Sequence, residues 1–235
     1  MNGVPAILLV GAMRREFDGL TRHCRNLQRV GAEVDWAQAA DLGGQRILMT
    51  ANGAGPKLAG QALRRVHGWS TWSAVVSVGY CGALDPRLRT GDIVVGTHLL
   101  FGNDSMPLRL PETGRRHSTG PIISVDRIVA SAEEKSALGQ GGAMAVEMEA
   151  AGLAPLVRQW NLPLFCIRSV TDRADEGFVL DINRARSPEG RIQPSRLVLE
   201  ALFKPVSGIP ELLRLQQKSS SAALSLGDFL ADCRF

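Results

Sequence analysis

The chain has 235 residues and a formal net charge of +4 at pH 7, and it is 45% hydrophobic but only 5% aromatic. Its length suits one large α/β domain with a sizeable core, and its basic residues are scattered rather than grouped, so we expect no nucleic-acid partner. Because the chain has neither a signal-peptide pattern nor a membrane-spanning apolar run, we expect a cytoplasmic protein with at most peripheral membrane contact.

Strands alternate with helices through the first part of the chain. Residues 7–10 form a continuous apolar run that predicts a buried central strand, and Phe17, Leu20 and Leu27 suit one face of a helix. Further strands are predicted at 46–50, 74–78 and 92–95, and a helix at 57–66 with Leu58, Ala62, Leu63 and Val66 facing inward. The small residues at 79–84 are expected to form a turn.

The alternation continues as far as a last central strand. Residues 103–118 carry charge, proline and glycine, and predict an exposed loop. A strand at 122–125 is predicted after this loop, followed by a helix with a capping signal at Ser131. Residues 144–146 lead into a further helix that continues to Val157, and the last strand is predicted at 164–168. Strands separated by helices predict a three-layer α/β/α sandwich with a central mixed sheet.

The remainder of the chain has a different pattern. Prolines punctuate it at positions 188, 194, 205 and 210. Helical stretches are predicted at 195–203 and 209–226, and the second stretch is rich in Leu and Ala. We therefore expect one domain over residues 1–177 and a helical C-terminal extension over residues 178–235 that packs on the same domain.

Four short motifs follow one another along the chain. They are GAMRRE at 11–16, GYCGAL at 79–84 followed by Gly91 and Asp92, AVEMEA at 145–150, and RSVTD at 168–172. In this order and at these separations they resemble the nucleoside phosphorylase and nucleosidase superfamily, from about Ala6 to Asp172. The resemblance implies a phosphorylase/hydrolase-like fold and an enzyme that cuts the bond between a base and C1′ of ribose. We expect a homodimer.

Cleavage of this bond in a purine nucleoside makes three chemical demands. The leaving purine must accept a proton at N7, because an anionic base is a poor leaving group. The ribosyl group develops positive charge and needs electrostatic support. Water or phosphate must then reach C1′ from the opposite face, as in glycoside hydrolysis by paired carboxylates.

Asp172 is the candidate general acid. It comes just after a predicted buried strand, where an α/β sheet presents ligand-binding residues. Partial burial of the carboxyl group would raise its pKa toward the range useful for proton donation. An aspartate at a strand end is more often a helix cap when it stands alone. The superfamily resemblance of the residues before it implies that Asp172 protonates the base.

Two further carboxylates have roles implied by the same resemblance. Glu149 would bind the ribose hydroxyls and Met148 would line the sugar, with Glu147 supporting them. Glu16 matches the glutamate that activates water in the hydrolases. Two arginines, at positions 14 and 15, stand where the hydrolases often carry acids, and arginine binds phosphate well. Water and phosphate therefore both remain candidates for the nucleophile.

The walls of the ligand site follow from the same motifs. The resemblance places Cys81 and Gly82 near the purine, with Ile128 and Val129 on the segment that covers it. Tyr80 stands where phosphorylases often carry Ser or Thr for phosphate, which weakens a standard phosphate site. Cys24, Cys81, Cys166 and Cys233 are far apart, and the four His residues form no ligand pattern. We therefore expect reduced thiols, no metal and no cofactor.

The tail narrows the substrate. Asp172–Asp175, Asp181 and residues 188–191, 209–215 and 124–131 resemble the hopanoid-biosynthesis-associated phosphorylases. This resemblance implies release of adenine from adenosylhopane, whose triterpenoid needs an apolar channel on the 5′ side of the ribose. Phe178, Leu212 and Leu215 should then approach the opening beside Met13. The alternatives are a nucleosidase for methylthioadenosine, adenosylhomocysteine or futalosine, and a non-catalytic nucleoside-binding protein.

Overall fold

Strands and helices alternate along the described chain, which comprises residues 5–187, 191, 193–203 and 206–235 of the computed structural model. The strands are β1 (Ala6–Gly11), β2 (Arg25–Arg29), β3 (Trp36–Leu42), β4 (Gln45–Ala51), β5 (Trp72–Ala83), β6 (Ile93–Phe101), β7 (Asp104–Pro107), β8 (Ser118–Ser124), β9 (Ala145–Glu147) and β10 (Leu164–Asp172). The helices are α1 (Asp18–Thr21), α2 (Pro56–Val66), α3 (Ala132–Gly139), α4 (Ala150–Gln159), α5 (Pro194–Phe203) and α6 (Gly208–Asp232), with 3-10 turns at Arg14–Phe17 and His67–Trp69.

The strands join in one mixed sheet. Across the described ranges its order is β10-β6-β8-β9-β5-β1-β4-β3-β2, with β7 paired to β6. β10 also pairs in parallel with β5 and antiparallel with β6. Five strands therefore close into a ring, and the other strands of the main order extend from β5 as an open sheet. The sequence predicts the mixed sheet but not the closure, which depends on strands far apart along the chain.

Helices cover both faces of the sheet, as the predicted three-layer architecture requires. One core cluster brings Val75 of β5 against Leu63 of α2 and Leu153 of α4. A second cluster on the opposite face brings Val76 of β5 against Phe229 of α6. Because successive residues of a strand point to opposite faces, one apolar run supplies both cores. None of the helices in the described ranges is long and apolar enough to cross a bilayer.

α6 packs closely on α1 through two glycines. A Cβ on Gly227 would lie 2.1 Å from the backbone carbon of Gly19, and a Cβ on Gly19 would lie 2.2 Å from the carbonyl oxygen of Ala223. No side chain fits between the two helix backbones, so glycine is required at both positions. The end of the C-terminal extension is thereby held against the N-terminal part of the chain.

The prediction of a helix carrying Leu27 was wrong. Phe17 and Leu20 are buried on the 3-10 turn and α1, but Leu27 lies in β2 and is 42% exposed. All five residues of β2 are exposed, so the strand has no alternating apolar pattern to reveal it. It is a polar edge strand held by its pairing with β3. The strand β3 was also missed.

Three other segments differ from their predictions. The expected turn at 79–84 is strand as far as Ala83, because β5 continues there beside both β10 and β9. The expected loop at 103–118 contains β7, which forms a hairpin with β6. The segment 144–146, which was expected to lead into a helix, overlaps the short strand β9, and the helix that follows is α4. Residues 188–190 of the hopanoid-associated pattern and Pro205 lie outside the described ranges.

Candidate active site

Three parallel strands end at the same edge of the sheet. β1, β5 and β10 run parallel to one another, and β9 pairs with the last residues of β5. The carboxyl ends of parallel strands meet at one edge, where α/β folds bind their ligands. The segments at these strand ends carry Glu16, Glu149 and Asp172, so the three carboxyl groups reach the same region of the molecule.

A cavity of about 460 Å³ lies at this edge. The residues named from the sequence as candidates all line it: Met13, Glu16, Cys81, Gly82, Ile128, Val129, Glu147, Met148, Glu149, Asp172 and Phe178. The carboxyl groups therefore share one small volume with apolar side chains. The described residues contain no group of three His, Cys, Asp or Glu side chains arranged to hold a metal ion.

Glu16 lies on the 3-10 turn after β1 and is 3% exposed. Its Oε2 accepts hydrogen bonds from the backbone N–H groups of Ala12, at 2.7 Å, and Met13, at 2.9 Å. Burial raises the pKa of this carboxyl group, while the two N–H donors and the charge of Arg168 act in the opposite direction. Its Oε1 lies beside Gly79, where a Cβ would approach to 2.9 Å. Glycine at this position makes room for the carboxylate.

A buried ion pair supports the neighbouring part of the site. Arg168, on β10, has no exposed surface, and its Nη2 donates to Glu147 Oε2 and, at 2.7 Å, to Ser77 Oγ. Glu147 also accepts the backbone N–H groups of Glu149, at 2.9 Å, and Ala150, at 3.0 Å. One carboxylate thus holds both the guanidinium group and the start of α4, where the helix dipole favours a negative charge.

The surroundings of Glu149 raise its pKa strongly. Its Oε1 accepts the backbone N–H of Gly55 at 3.1 Å, and its Oε2 lies 3.7 Å from Arg168 Nη2. Burial is the largest cause and the negative charge of Glu147 adds to it, so the pKa of Glu149 rises to about 8. Such a group can accept hydrogen bonds as a carboxylate or donate one as an acid near neutral pH.

One edge of the Arg168 guanidinium group lacks acceptors. Its Nε and Nη1 are buried and have no hydrogen-bond partner within the described ranges. A Cβ on Gly79 would lie 3.3 Å from Nη1 and 2.9 Å from Glu16 Oε1, so both atoms border the same small space. Unpaired buried donors are costly, which favours a polar or anionic ligand atom at this point.

Asp172 ends β10 and is held by two donors. Its Oδ1 accepts the hydroxyl of Thr171 at 2.7 Å, and its Oδ2 accepts the ammonium group of Lys135 at 2.5 Å. Lys135 comes from α3, on which the sequence indicates no functional residue. The expectation from sequence considered only burial of Asp172. The structure adds a cation in direct contact, which stabilises a carboxylate.

The C-terminal extension forms the apolar part of the cavity wall. Phe178, Ile182, Val198, Leu212 and Leu215 line the same cavity as Met13. α5, the start of α6 and the segment between them carry exposed apolar side chains that we call the α5–α6 ridge: Leu199, Leu202, Phe203, Val206 and Leu213. Phe203 is 79% exposed and Val206 is 91% exposed. Leu199 and Leu213 of the ridge directly follow the cavity-lining Val198 and Leu212 along the chain.

Comparison with known families agrees with this architecture. The model of the Phosphorylase superfamily matches residues 6–111 and 107–202, which is most of the chain. The chain belongs to the phosphorylase superfamily. The superfamily resemblance that the four motifs carry is thereby confirmed.

Curated superfamily members with similar sequences include two named nucleosidases. The 5′-methylthioadenosine/S-adenosylhomocysteine nucleosidase of Staphylococcus epidermidis is 24% identical over 196 residues, which cover 71% of this chain and 86% of that protein. The protein of the same name from Tolumonas auensis is 25% identical over 198 residues, covering 71% and 85% respectively.

Solved structures show the same superfamily fold. A nucleosidase of that name from Neisseria meningitidis, in complex with methylthio-immucillin-A, superposes with a TM-score of 0.72 at 20% identity and covers 97% of this chain and 98% of that one. S-adenosylhomocysteine nucleosidase from Streptococcus pyogenes, in complex with 5-methylthiotubericidin, gives 0.72 at 15% identity with 98% and 96% coverage.

The sequence does not reveal the roles of three polar residues near the cavity, Lys135, Arg168 and Tyr80. Lys135 follows two glutamates in a capped helix and looks like a solvent-exposed residue, so no local signal identifies it. Arg168 stands inside a quoted motif but was given no role. Tyr80 was noted only as a departure from the phosphorylases. Its hydroxyl is buried without a partner among the described residues, and burial together with the charge of Glu16 raises its pKa.

Proposed function

We propose that this protein hydrolyses the N-glycosidic bond of a 5′-substituted adenosine and releases adenine. Membership of the phosphorylase superfamily and the nucleosidase relatives make it an enzyme of N-glycosidic bond cleavage. The observation that carries the finer proposal is the single cavity shared by Glu16, Glu149 and Asp172. The reaction needs one group for the base, one for the ribose and one for the nucleophile, and the cavity offers a carboxyl group for each.

In this proposal Asp172 protonates N7 of adenine while the bond to C1′ breaks, so the base leaves as a neutral molecule. Cys81 and Gly82 pack against the purine, and Ile128 and Val129 cover it. Burial holds the pKa of the Cys81 thiol well above its usual range. The thiol therefore stays neutral and serves as an apolar wall rather than as a nucleophile.

Glu149 binds the ribose hydroxyls, with Met148 against the sugar and Glu147 behind it. A carboxylate on both hydroxyls fixes the ribose and supports the positive charge that develops on the ring. With its pKa raised to about 8, Glu149 is largely protonated near neutral pH before substrate binds. Positive charge developing on the ribosyl ring favours the carboxylate form, so the charged partner is produced as the bond breaks.

Glu16 activates water for attack on C1′. We favour water over phosphate because a phosphate dianion at the space between Glu16 and Arg168 would lie beside two buried carboxyl groups, Glu16 and Glu149. A water molecule can donate to Glu16 Oε1 and accept from Arg168 Nη1. Arg14 and Arg15 are exposed, and Tyr80 replaces the usual phosphate-binding hydroxyl.

For the 5′ substituent we propose the triterpenoid of adenosylhopane. Support comes from the apolar wall that Phe178, Leu212 and Leu215 form beside Met13, and from its continuation into the exposed α5–α6 ridge. A large apolar group gains free energy by leaving water for such a surface. The ridge would then meet the membrane that holds the substrate, as a peripheral contact.

A small-substrate nucleosidase is the second candidate. It is favoured by the relatives named for methylthioadenosine and adenosylhomocysteine. Separate assays distinguish the two: adenine release is measured with adenosylhopane, methylthioadenosine or adenosylhomocysteine as the sole substrate, over the same range of concentrations. We expect the highest kcat/KM for adenosylhopane. Turnover of methylthioadenosine alone would replace the lipid proposal, and no release from any of the three would reject the proposed function.

The ridge provides a second test of the lipid substrate. Leu202→Ser with Phe203→Ser should lower turnover of adenosylhopane in vesicles and leave methylthioadenosine turnover unchanged. Leu110→Ser is the matched control, because Leu110 is an exposed leucine, 52% accessible, that does not line the cavity. Equal activity of all three proteins on the lipid substrate would contradict the role of the ridge.

We also propose that the protein is a cytoplasmic homodimer. Light scattering tests the dimer, and cell fractionation tests the location.

A further inference from the structure

Among the described residues, Lys135 is the most deeply buried cation outside the four sequence motifs, and its ammonium group has specific partners. It has no exposed surface although it lies in α3 among exposed polar residues. Its ammonium group donates to Asp172 Oδ2 at 2.5 Å and to the carbonyl oxygens of Arg173 and Glu176, both at 2.8 Å. An ammonium group has three protons, so each one has an acceptor.

The two oxygens of Asp172 are therefore unequal. Oδ2 is occupied by the ammonium group of Lys135. Oδ1 accepts from Thr171, but that hydroxyl has a second acceptor, the carbonyl oxygen of Cys81 at 3.2 Å. The Thr171 hydroxyl can turn to Cys81 when Oδ1 carries a proton. Oδ1 is then the oxygen that is free to carry a transferable proton, because Oδ2 already accepts from the ammonium group.

We propose that Lys135 is a positioning residue for proton donation by Asp172, an inference that rests on the proposed function. It holds Oδ2 so that Oδ1 carries the proton, and its positive charge compensates the carboxylate that remains after the transfer. The proton moves from Asp172 Oδ1 to N7 of the base, and the electron pair of the C1′–N9 bond goes to the base. Lys135 keeps its protons throughout.

The ammonium group also links the acid to the cavity wall. It lies 5.6 Å from the ring centroid of Phe178, within the range of a cation–π contact. The other ionisable groups around the pair are Cys81 on β5, Arg173 and Glu176 on the turn after β10, and Lys218 on α6. Lys218 binds Glu176 Oε2 at 2.6 Å and so ties down the same turn without touching Asp172.

That arrangement provides a matched pair of variants. Lys135→Met removes the charge beside Asp172, whereas Lys218→Met loosens only the turn. We expect Lys135→Met to lower kcat for adenine release by roughly 10- to 1000-fold, within the scale of acid catalysis, with little change in KM. Lys218→Met should stay within a few-fold of wild type. Thermal unfolding of each variant establishes that it is folded.

Two readouts separate positioning from a merely structural role. The first readout is kcat on 4-nitrophenyl riboside, a substrate whose leaving group departs without protonation. Lys135→Met should retain most of the wild-type kcat on this substrate. The second is the pH profile. Lys135→Met removes a positive charge in direct contact with the acid, so the alkaline limb of kcat/KM should move upward in this variant. Lys135→Arg, which keeps the charge, should restore the wild-type limb.

Equal losses on both substrates with an unmoved pH profile would overturn the proposal. If Lys135→Met does not fold, Lys135→Gln replaces it, because this variant removes the charge but keeps a hydrogen-bond donor. Wild-type adenine release is measured in the same series. An inactive wild type would reject the proposed function and this inference together, whereas an active wild type with an unchanged Lys135→Gln profile would reject the inference alone.

Discussion

Three of the carboxyl groups that line the cavity have different neighbours. Glu16 accepts two backbone N–H groups, Glu149 lies near a second carboxylate, and Asp172 contacts an ammonium group. Neighbours of different charge give carboxyl groups different proton affinities. A single cavity can therefore hold an acid, a base and a ribose ligand built from only two residue types.

Replacement of the candidate acid is the first prediction. Asp172→Asn keeps the shape of the side chain and an oxygen for Lys135 but cannot donate the same proton. We expect kcat for adenine release to fall by roughly 10²- to 10⁴-fold, with the fold intact by circular dichroism. Asp175→Asn is the matched control, because Asp175 forms an exposed ion pair with Arg173. Its kcat for adenine release should stay near the wild-type value. Near-wild-type release by folded Asp172→Asn would reject the assignment.

The second prediction concerns ribose recognition by Glu149. A 2′-deoxy substrate removes one hydroxyl and leaves a buried carboxylate without that partner, at a cost of about 1–3 kcal/mol. The ratio of kcat/KM for the ribo and 2′-deoxy substrates measures this loss. In Glu149→Gln the ratio should shrink toward one. A wild-type ratio already equal to one would count against the role of Glu149.

The third prediction is a pH-dependent stability. The pKa of Glu149 is raised from 4.5 to about 8, so the folded protein binds this proton more tightly than the unfolded chain. The contribution of the Glu149 proton to the free energy of unfolding is therefore complete below about pH 4.5, and it is lost as the pH rises toward about 8. Glu149→Gln should flatten the fall in Tm across this window in calorimetry. The exposed Glu33→Gln is the control, and parallel Tm curves for all three proteins would contradict the prediction.

At the scale of elements, α6 performs two tasks. Its first turns carry Leu212 and Leu215 on the cavity wall, and its last turns carry Leu226 and Phe229 into the core. Its contact with α1 at Gly227 and Gly19 sets the distance between these helices. The position of the cavity wall therefore depends on close packing at the far end of the same helix.

The fourth prediction tests this packing. Gly227→Ala would place a Cβ 2.1 Å from the backbone of Gly19, so α6 must move away. We expect a loss of about 1–3 kcal/mol in unfolding free energy, as for other overpacked sites, measured by urea titration. Gly31→Ala meets no atom within 4 Å and should change stability far less. A Gly227→Ala protein as stable as Gly31→Ala would mean that the helices can separate freely.

Across the whole molecule, the sequence predicts the α/β/α layers and the positions of the carboxyl groups in the site. It predicts less well the strand and the side chain that hold these parts in place. Apolar runs such as that of β1 reveal buried strands, and the motifs locate Glu16, Glu149 and Asp172. The polar strand β2 has no such pattern. Lys135 gives no local signal either, because its burial comes from partners on β10 and the following turn, 37 or more residues away along the chain.

The insertion of β10 between β5 and β6 has a kinetic consequence. The pairs between β10 and β5 join residues about 90 positions apart, such as Cys166 and Ser77, and contacts so distant along the chain form slowly. Arg168 and Asp172 both belong to β10, so a chain in which this strand has not docked has helices and most of its sheet but lacks the proposed general acid. After dilution from denaturant, adenine release should recover later than the far-ultraviolet circular dichroism signal. Simultaneous recovery would mean that β10 docks early and that the nucleus of folding already contains the site.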